Sequence, residues 1–169
     1  MTQSQLPKFR YNNKWLEAID RQASDERYCK LDHFNFCLYA LEYLGQTPSL
    51  NWRIARAALL ARNRSSSEVT KQTLSQLCRQ FARKASKLNP NCPYIQKYNA
   101  FSLWLLANDT TDASVEVGLV KTCKEYLDKA IENLPFDVEL LQLRGEWYYK
   151  VIITNLYREQ LHVNHIFVS

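Results

Sequence analysis

At 169 residues, 46% of them apolar and with a net charge of +5, the chain can bury one continuous core but is too short for several domains. Three glycines exclude a fold built on many tight turns and any glycine-lined phosphate loop. Five cysteines, an odd number with no C-x-x-C pair, point to a reduced compartment rather than a disulfide framework. Met1 to Lys14 lacks the apolar run of a signal peptide and no stretch has the length of a membrane span, so a soluble, cytoplasmic chain is expected.

Residues 1–11 read as a flexible leader, 12–155 as a helical repeat domain and 156–169 as a divergent tail. A first helix is predicted over Lys14 to Ala23, with Trp15, Leu16 and Ile19 inward, followed by a cap region at Ser24-Asp25-Glu26. Arg27 to Leu44 forms a second, strongly apolar helix, stopped by Gly45. Pro48 opens a third, Ser49 to Arg62. After the Ser65-Ser66-Ser67 loop, with Glu68 as a capping partner, comes a fourth, Glu68 to Leu88. There Leu74, Leu77, Cys78, Phe81, Ala85 and Leu88 recur at steps of three and four, which is one helical face. Asn89-Pro90-Asn91 breaks that pattern, because proline lacks an amide hydrogen and clashes with the preceding turn. A fifth helix follows over Pro93 to Ala107, a sixth over Ser114 to Asn133, and after Pro135 a seventh over Phe136 to Asn155.

The same grammar recurs along the chain. A small residue follows each of three prolines at one fixed distance: Ala58 after Pro48, Ala100 after Pro90, Gly145 after Pro135. Ala85 and Ala130 precede Pro90 and Pro135 at another, and Cys78 and Cys123 precede those alanines at a third. Small residues at fixed register are the tetratricopeptide device for letting two helices cross closely. The expected fold is therefore all-α, a right-handed α-solenoid of tetratricopeptide-like helix pairs.

Three segments carry a more specific resemblance. Asn51-Trp52-Arg53-Ile54-Ala55-Arg56-Ala57 is the first. The second is Phe81-Ala82-Arg83-Lys84-Ala85-Ser86-Lys87-Leu88-Asn89-Pro90, followed by Tyr98, Ala100 and Trp104. The third runs from Cys123-Lys124-Glu125-Tyr126-Leu127-Asp128-Lys129-Ala130 through Arg144-Gly145-Glu146-Trp147-Tyr148-Tyr149. Together they resemble the regulator of microtubule dynamics family over Trp15 to Tyr149. The departure is at the C-terminus, where family members continue into further helices and this chain reads as a truncated form. The resemblance implies a non-enzymatic role on microtubules, spindle and spindle poles, supporting chromosome segregation. It also implies an alternative, a phospholipid-binding or tethering module at organelle contact sites.

Charge is unevenly spread. Residues 49–88 hold nine Lys/Arg against one Glu, and residues 108–139 three Lys against eight Asp/Glu. Arg79, Arg83 and Lys87 stand four apart on one face of the fourth helix, with Lys84 beside them. Each like-charged neighbour pair costs about 0.2–0.5 kcal/mol on a helix, so something outside the helix is expected to offset it. An acidic partner such as the glutamate-rich tails of tubulin is one answer, with Arg53, Arg56, Arg62 and Arg64 extending the patch. The other answer is internal, with Glu125, Asp128 and Glu132 of the sixth helix facing the stripe.

Trp52, Tyr94, Lys97, Phe101 and Trp104 fall on the first helices of their pairs. They line either a groove for a peptide or lipid chain or the core. Cys78 and Cys123 have a packing role, His33 has no acid–base partner, and His162 with His165 makes two ligands but no metal site. Neither an enzyme nor a cofactor is expected. Nucleic acid is not an expected partner, because its recognition motifs are missing. A general peptide-docking adaptor is a third class of binding function.

Overall fold

The computed structural model describes the backbone of residues 6–166 and the side chains of residues 13–153. The outer parts of the leader and tail, and the His162 and His165 side chains, lie outside the described residues. Within them every regular element is a helix: α1 (Leu6–Ser24), α2 (Lys30–Leu44), α3 (Pro48–Arg64), α4 (Glu68–Leu88), α5 (Pro93–Asp109), α6 (Ala113–Asn133) and α7 (Val138–Ile166).

Local chemistry sets most of these boundaries. Pro48 and Pro93 occupy the first turns of α3 and α5, where the missing N–H has no intrahelical partner to lose. The Thr47 hydroxyl accepts from Leu50 N–H (3.1 Å) and Asp112 accepts from Ser114 and Val115 N–H (2.8 and 3.1 Å). Gly45 stops α2 at φ 66°, a left-handed backbone that a side chain would strain, and its N–H returns to Leu41 O. Lys30, almost fully buried, points its ammonium at the C-terminal end of α1. It donates to Asp25 O at 2.6 Å and Ala23 O at 3.1 Å, where the helix dipole favours a cation.

The structure moves several predicted boundaries. α1 starts at Leu6 rather than Lys14, and α7 continues to Ile166. α2 starts at Lys30 rather than Arg27, because the Asp25 carboxylate takes the Arg27 backbone N–H (3.0 Å) and guanidinium (3.2 Å) and holds a turn there. α7 starts after Asp137, whose carboxylate caps Leu140 N–H at 3.1 Å, leaving Phe136 outside the helix and exposed. Ser67, not Glu68, caps α4 through Thr70 N–H. Glu68 pairs with Lys71 instead.

Each helix packs on its neighbours in sequence, most extensively α3 on α4 and α5 on α6; α1, α3 and α5 also touch in series. One core cluster spans α1 to α5, with Ile19, Phe34, Leu50, Ile54, Phe81 and Ile95 among its members. A second joins α5, α6 and α7 through Leu103, Cys123, Leu127, Leu140 and Leu143, and Phe101 packs against both. Ala58, Ala85, Ala100 and Ala130 are fully buried, and the Cys123 thiol lies 3.3 Å from Ala100 O, an approach only small residues permit. Burial pushes the Cys37, Cys78 and Cys123 thiols up to about 12, so they pack as neutral, small hydrophobes. Gly145 departs from this register. It is exposed, and a methyl group there would meet nothing within 4 Å, because among the described residues no helix lies against that face of α7.

Candidate functional site

The eight cations singled out in the sequence divide into two groups. Arg53 and Arg56 on α3 both turn inward to Asp20 of α1. Arg53 grips the carboxylate with Nε at 2.9 Å and Nη2 at 2.7 Å, and also donates to Ser49 O; Arg56 reaches Oδ1 at 2.6 Å. Both guanidinium groups lie by the Trp52 ring, 4.2 and 5.2 Å from its centroid. Burial alone would raise the Asp20 pKa, but the hydrogen bonds and charges of Arg53 and Arg56 outweigh it and hold the carboxyl below its ordinary value. Arg62 is likewise tied, to Asp109 at 2.7 Å and to the Ser75 hydroxyl at 2.8 Å. These three arginines fasten helices to one another, and an external reading of the patch narrows accordingly.

His33 of α2 belongs to the same buried neighbourhood, with no exposed surface, its Nδ1 lying 3.4 Å from Gln22 Oε1. Burial, with added repulsion from Arg56 and Lys30 and a smaller opposing pull from Asp20, lowers its pKa from 6.5 to about 4. The folded state therefore binds this proton more weakly than the unfolded chain does. Stability is complete above pH 6.5 and is lost as pH falls toward 4. Stability should drop by about 2 kcal/mol between about pH 7 and pH 5 by the usual linkage. Chemical denaturation at the two pH values should show this, with the drop largely abolished in a folded His33→Gln variant.

The remaining cations have no carboxylate partner among the described residues. Arg64, Arg83 and Lys87 are exposed; Lys84 is half-buried, its ammonium 4.9 Å from the Phe81 ring centroid. Arg79 is half-buried and donates from Nη1 to Asn99 Oδ1 of α5 at 2.8 Å; burial lowers its pKa. Arg79, Arg83 and Lys87 line a shallow recess of about 190 Å³, together with Ser86, Asn99 and Tyr126 of α6. The acidic stripe of α6 does not meet them. Asp128 pairs with Lys124 at 2.6 Å, Glu132 is exposed, and no ion pair among the described residues joins the two stripes.

The aromatic candidates are mostly packed. Trp52 and Trp104 are each 8% exposed, and Trp52 stacks on Tyr94 and Tyr98 with ring centroids 5.1 and 5.7 Å apart. Lys97 is buried and held by Asp137 at 2.7 Å and Glu139 at 2.5 Å, which ties α5 to the start of α7. Trp52, Tyr94 and Lys97 do line a cavity of about 260 Å³ with Ala23, Arg56 and Glu139; Phe101 and Trp104 are not part of its wall. The larger groove is one the sequence reading missed. About 610 Å³ opens between α6 and α7, walled by Val117, Val120, Trp147 and Val151, with Lys121, Lys124 and Glu125 also on its lining. Its signal was Val117, an apolar residue off the Cys123, Leu127, Ala130 stripe that α6 buries.

What these features define is an all-helical chain whose distinctive surfaces are a basic recess on one helix and an apolar groove between two others. Residues 15–163 match the family described as Regulator of microtubule dynamics protein 1-3, and the chain belongs to that family. No curated protein matches it significantly. Among the described residues no helix is long and apolar enough to cross a membrane, and no group of three or more His, Cys, Asp or Glu is placed to hold a metal ion.

Proposed function

We propose that this chain is a non-enzymatic, cytoplasmic microtubule-associated protein of the cytoskeleton, acting at the spindle and spindle poles in support of chromosome segregation. In this reading its helices form a right-handed solenoid of tetratricopeptide-like pairs that presents a basic face to tubulin. The family it belongs to supports the microtubule part. The observation that carries the site is the outer face of α4, where Arg83 and Lys87 are exposed with no carboxylate paired to them among the described residues. Solvent-exposed cations of this kind attract a polyanionic surface at long range and lose that attraction as salt rises. Arg83→Glu/Lys87→Glu should bind microtubules about tenfold more weakly, the size expected for reversing two exposed charges. Co-sedimentation across a salt series measures it; unchanged pelleting by the double variant removes this face from the site. The same reversal at Arg53 and Arg56 would report only on folding, since Asp20 already holds both.

A second reading, a phospholipid-binding module at organelle contacts, draws on the groove between α6 and α7. Its valines and Trp147 suit an acyl chain, and Lys121 suits an anionic headgroup, while Lys124 is already paired with Asp128 on the same lining. Native mass spectrometry of the purified protein separates the two, because phospholipid co-purifies only in this second case. A peptide-docking adaptor would show neither lipid nor salt-sensitive pelleting.

A further inference from the structure

We infer that the recess lined by Arg79, Arg83, Ser86, Lys87, Asn99 and Tyr126 is a seat for a phosphate monoester carried on a serine or threonine of a partner protein. Its floor is built rather than accidental. Asn99 is fully buried, and its amide nitrogen donates to Ile95 O at 2.9 Å and Ala82 O at 3.3 Å. With the nitrogen so engaged, the amide oxygen must face Arg79, which it fixes at 2.8 Å. That contact uses one guanidinium N–H; the others meet no acceptor among the described residues, and Arg79 lines the recess. Tyr126 of α6 faces the same recess as Arg79. Arg83 and Lys87 stand one and two turns along the same face of α4.

Three cations and two hydroxyl-bearing side chains, with no carboxylate among the lining residues, offer more donors than the two oxygens of one carboxylate can accept. A phosphate monoester brings three terminal oxygens and close to two negative charges, and a guanidinium meets it in a bidentate fashion. The shape favours a group on a flexible side chain over a bilayer. Arg79, the half-buried cation, is held on the buried Asn99 rather than presented on a flat face, and none of the lining residues is an apolar side chain that could insert among lipid tails. The site shares Arg83 and Lys87 with the microtubule face proposed above, but it does not rest on that reading, because a glutamate-rich surface needs only exposed charge and not this floor.

The test is fluorescence anisotropy with a labelled short peptide carrying one phosphoserine, against the same peptide with glutamate or serine at that position. Inorganic phosphate serves as competitor, and vesicles containing a phosphate-monoester lipid form a separate arm. The phosphoserine peptide should bind at least tenfold more tightly than the glutamate peptide and be displaced by inorganic phosphate. Its binding should strengthen as pH rises through about 6, where the second phosphate ionisation occurs. Arg79→Gln should weaken it at least tenfold and Tyr126→Phe several-fold. If Arg79→Gln does not fold, Arg83→Gln with Tyr126→Phe decides. Equal binding of the glutamate and phosphoserine peptides, binding only to the vesicles, or full binding by the folded variants would each overturn the inference. Tyr126→Phe should leave microtubule pelleting unchanged, so the two readings fail separately.

Discussion

Asp20→Ala is expected to destabilise the protein by about 2–3 kcal/mol and to loosen α1 first. Removing one partner of a buried ion pair costs about 3–5 kcal/mol, and the figure is reduced here because the Asp20 side chain is 40% exposed. The cost arises on the other side of the contact. Arg53 and Arg56 are 15% and 19% exposed, and neither has a second carboxylate among the described ion pairs. Arg56 Nε is already without an acceptor, so losing Asp20 leaves that guanidinium worse served still. α1 meets the rest of the chain less extensively than α3 meets α4, so this one carboxylate is a large part of its polar attachment. Denaturant unfolding gives the total. Amide hydrogen exchange should show the α1 amides losing protection before those of α3 and α4. Asp20→Asn should fall between, keeping one acceptor but not the charge. The same argument fixes the acid limb of stability. Because Asp20 is held below its ordinary pKa, its contribution survives down through the unfolded value of 3.8 and fails only beneath it, below the window in which His33 titrates.

These internal arginines also show what could be read from the sequence and what could not. Helix count and most boundaries were legible because their causes are local: Pro48, Pro90 and Gly45 act on their own turns, and Leu74, Cys78, Phe81 and Ala85 mark one face by spacing alone. The family resemblance rested on similarly local words, and the match over residues 15–163 bears it out. The partners of Arg53, Arg56 and Arg62 were not legible. Asp20 lies 33 and 36 positions away and Asp109 47, and a basic run on a helix looks the same whether its counter-charge is in the protein or outside it. The α4 stripe has the same sequence signature and the opposite outcome, since the α6 acids pair within their own helix or face solvent. The cap region at Ser24-Asp25-Glu26 was legible, but that Asp25 holds a turn ahead of α2, and that Glu68 pairs with Lys71, was not, for a related reason. Several short polar residues compete for each helix start, and geometry decides among them.

Ala100→Leu and Gly145→Ala are expected to move stability in opposite directions, although both positions follow a proline at the same distance. Ala100 is fully buried where α5 crosses α6, with the Cys123 thiol 3.3 Å from its carbonyl oxygen. Three added carbons there must push the two helices apart or force neighbouring side chains off their rotamers, a cost of about 3 kcal/mol at the upper end of overpacking. At Gly145 an added methyl meets nothing within 4 Å and replaces the most flexible helix residue with the best helix former, a gain of about 0.5–1 kcal/mol. Urea unfolding of both variants measures the pair. A gain at Gly145 means that α7 keeps this face open in the folded chain, with Tyr148, Tyr149 and Ile152 in contact with water. A loss comparable to that at Ala100 would mean that another helix, from a second copy or a partner, closes on Gly145 in solution. A buried small residue would then follow all three prolines, as Ala58 and Ala100 already follow two.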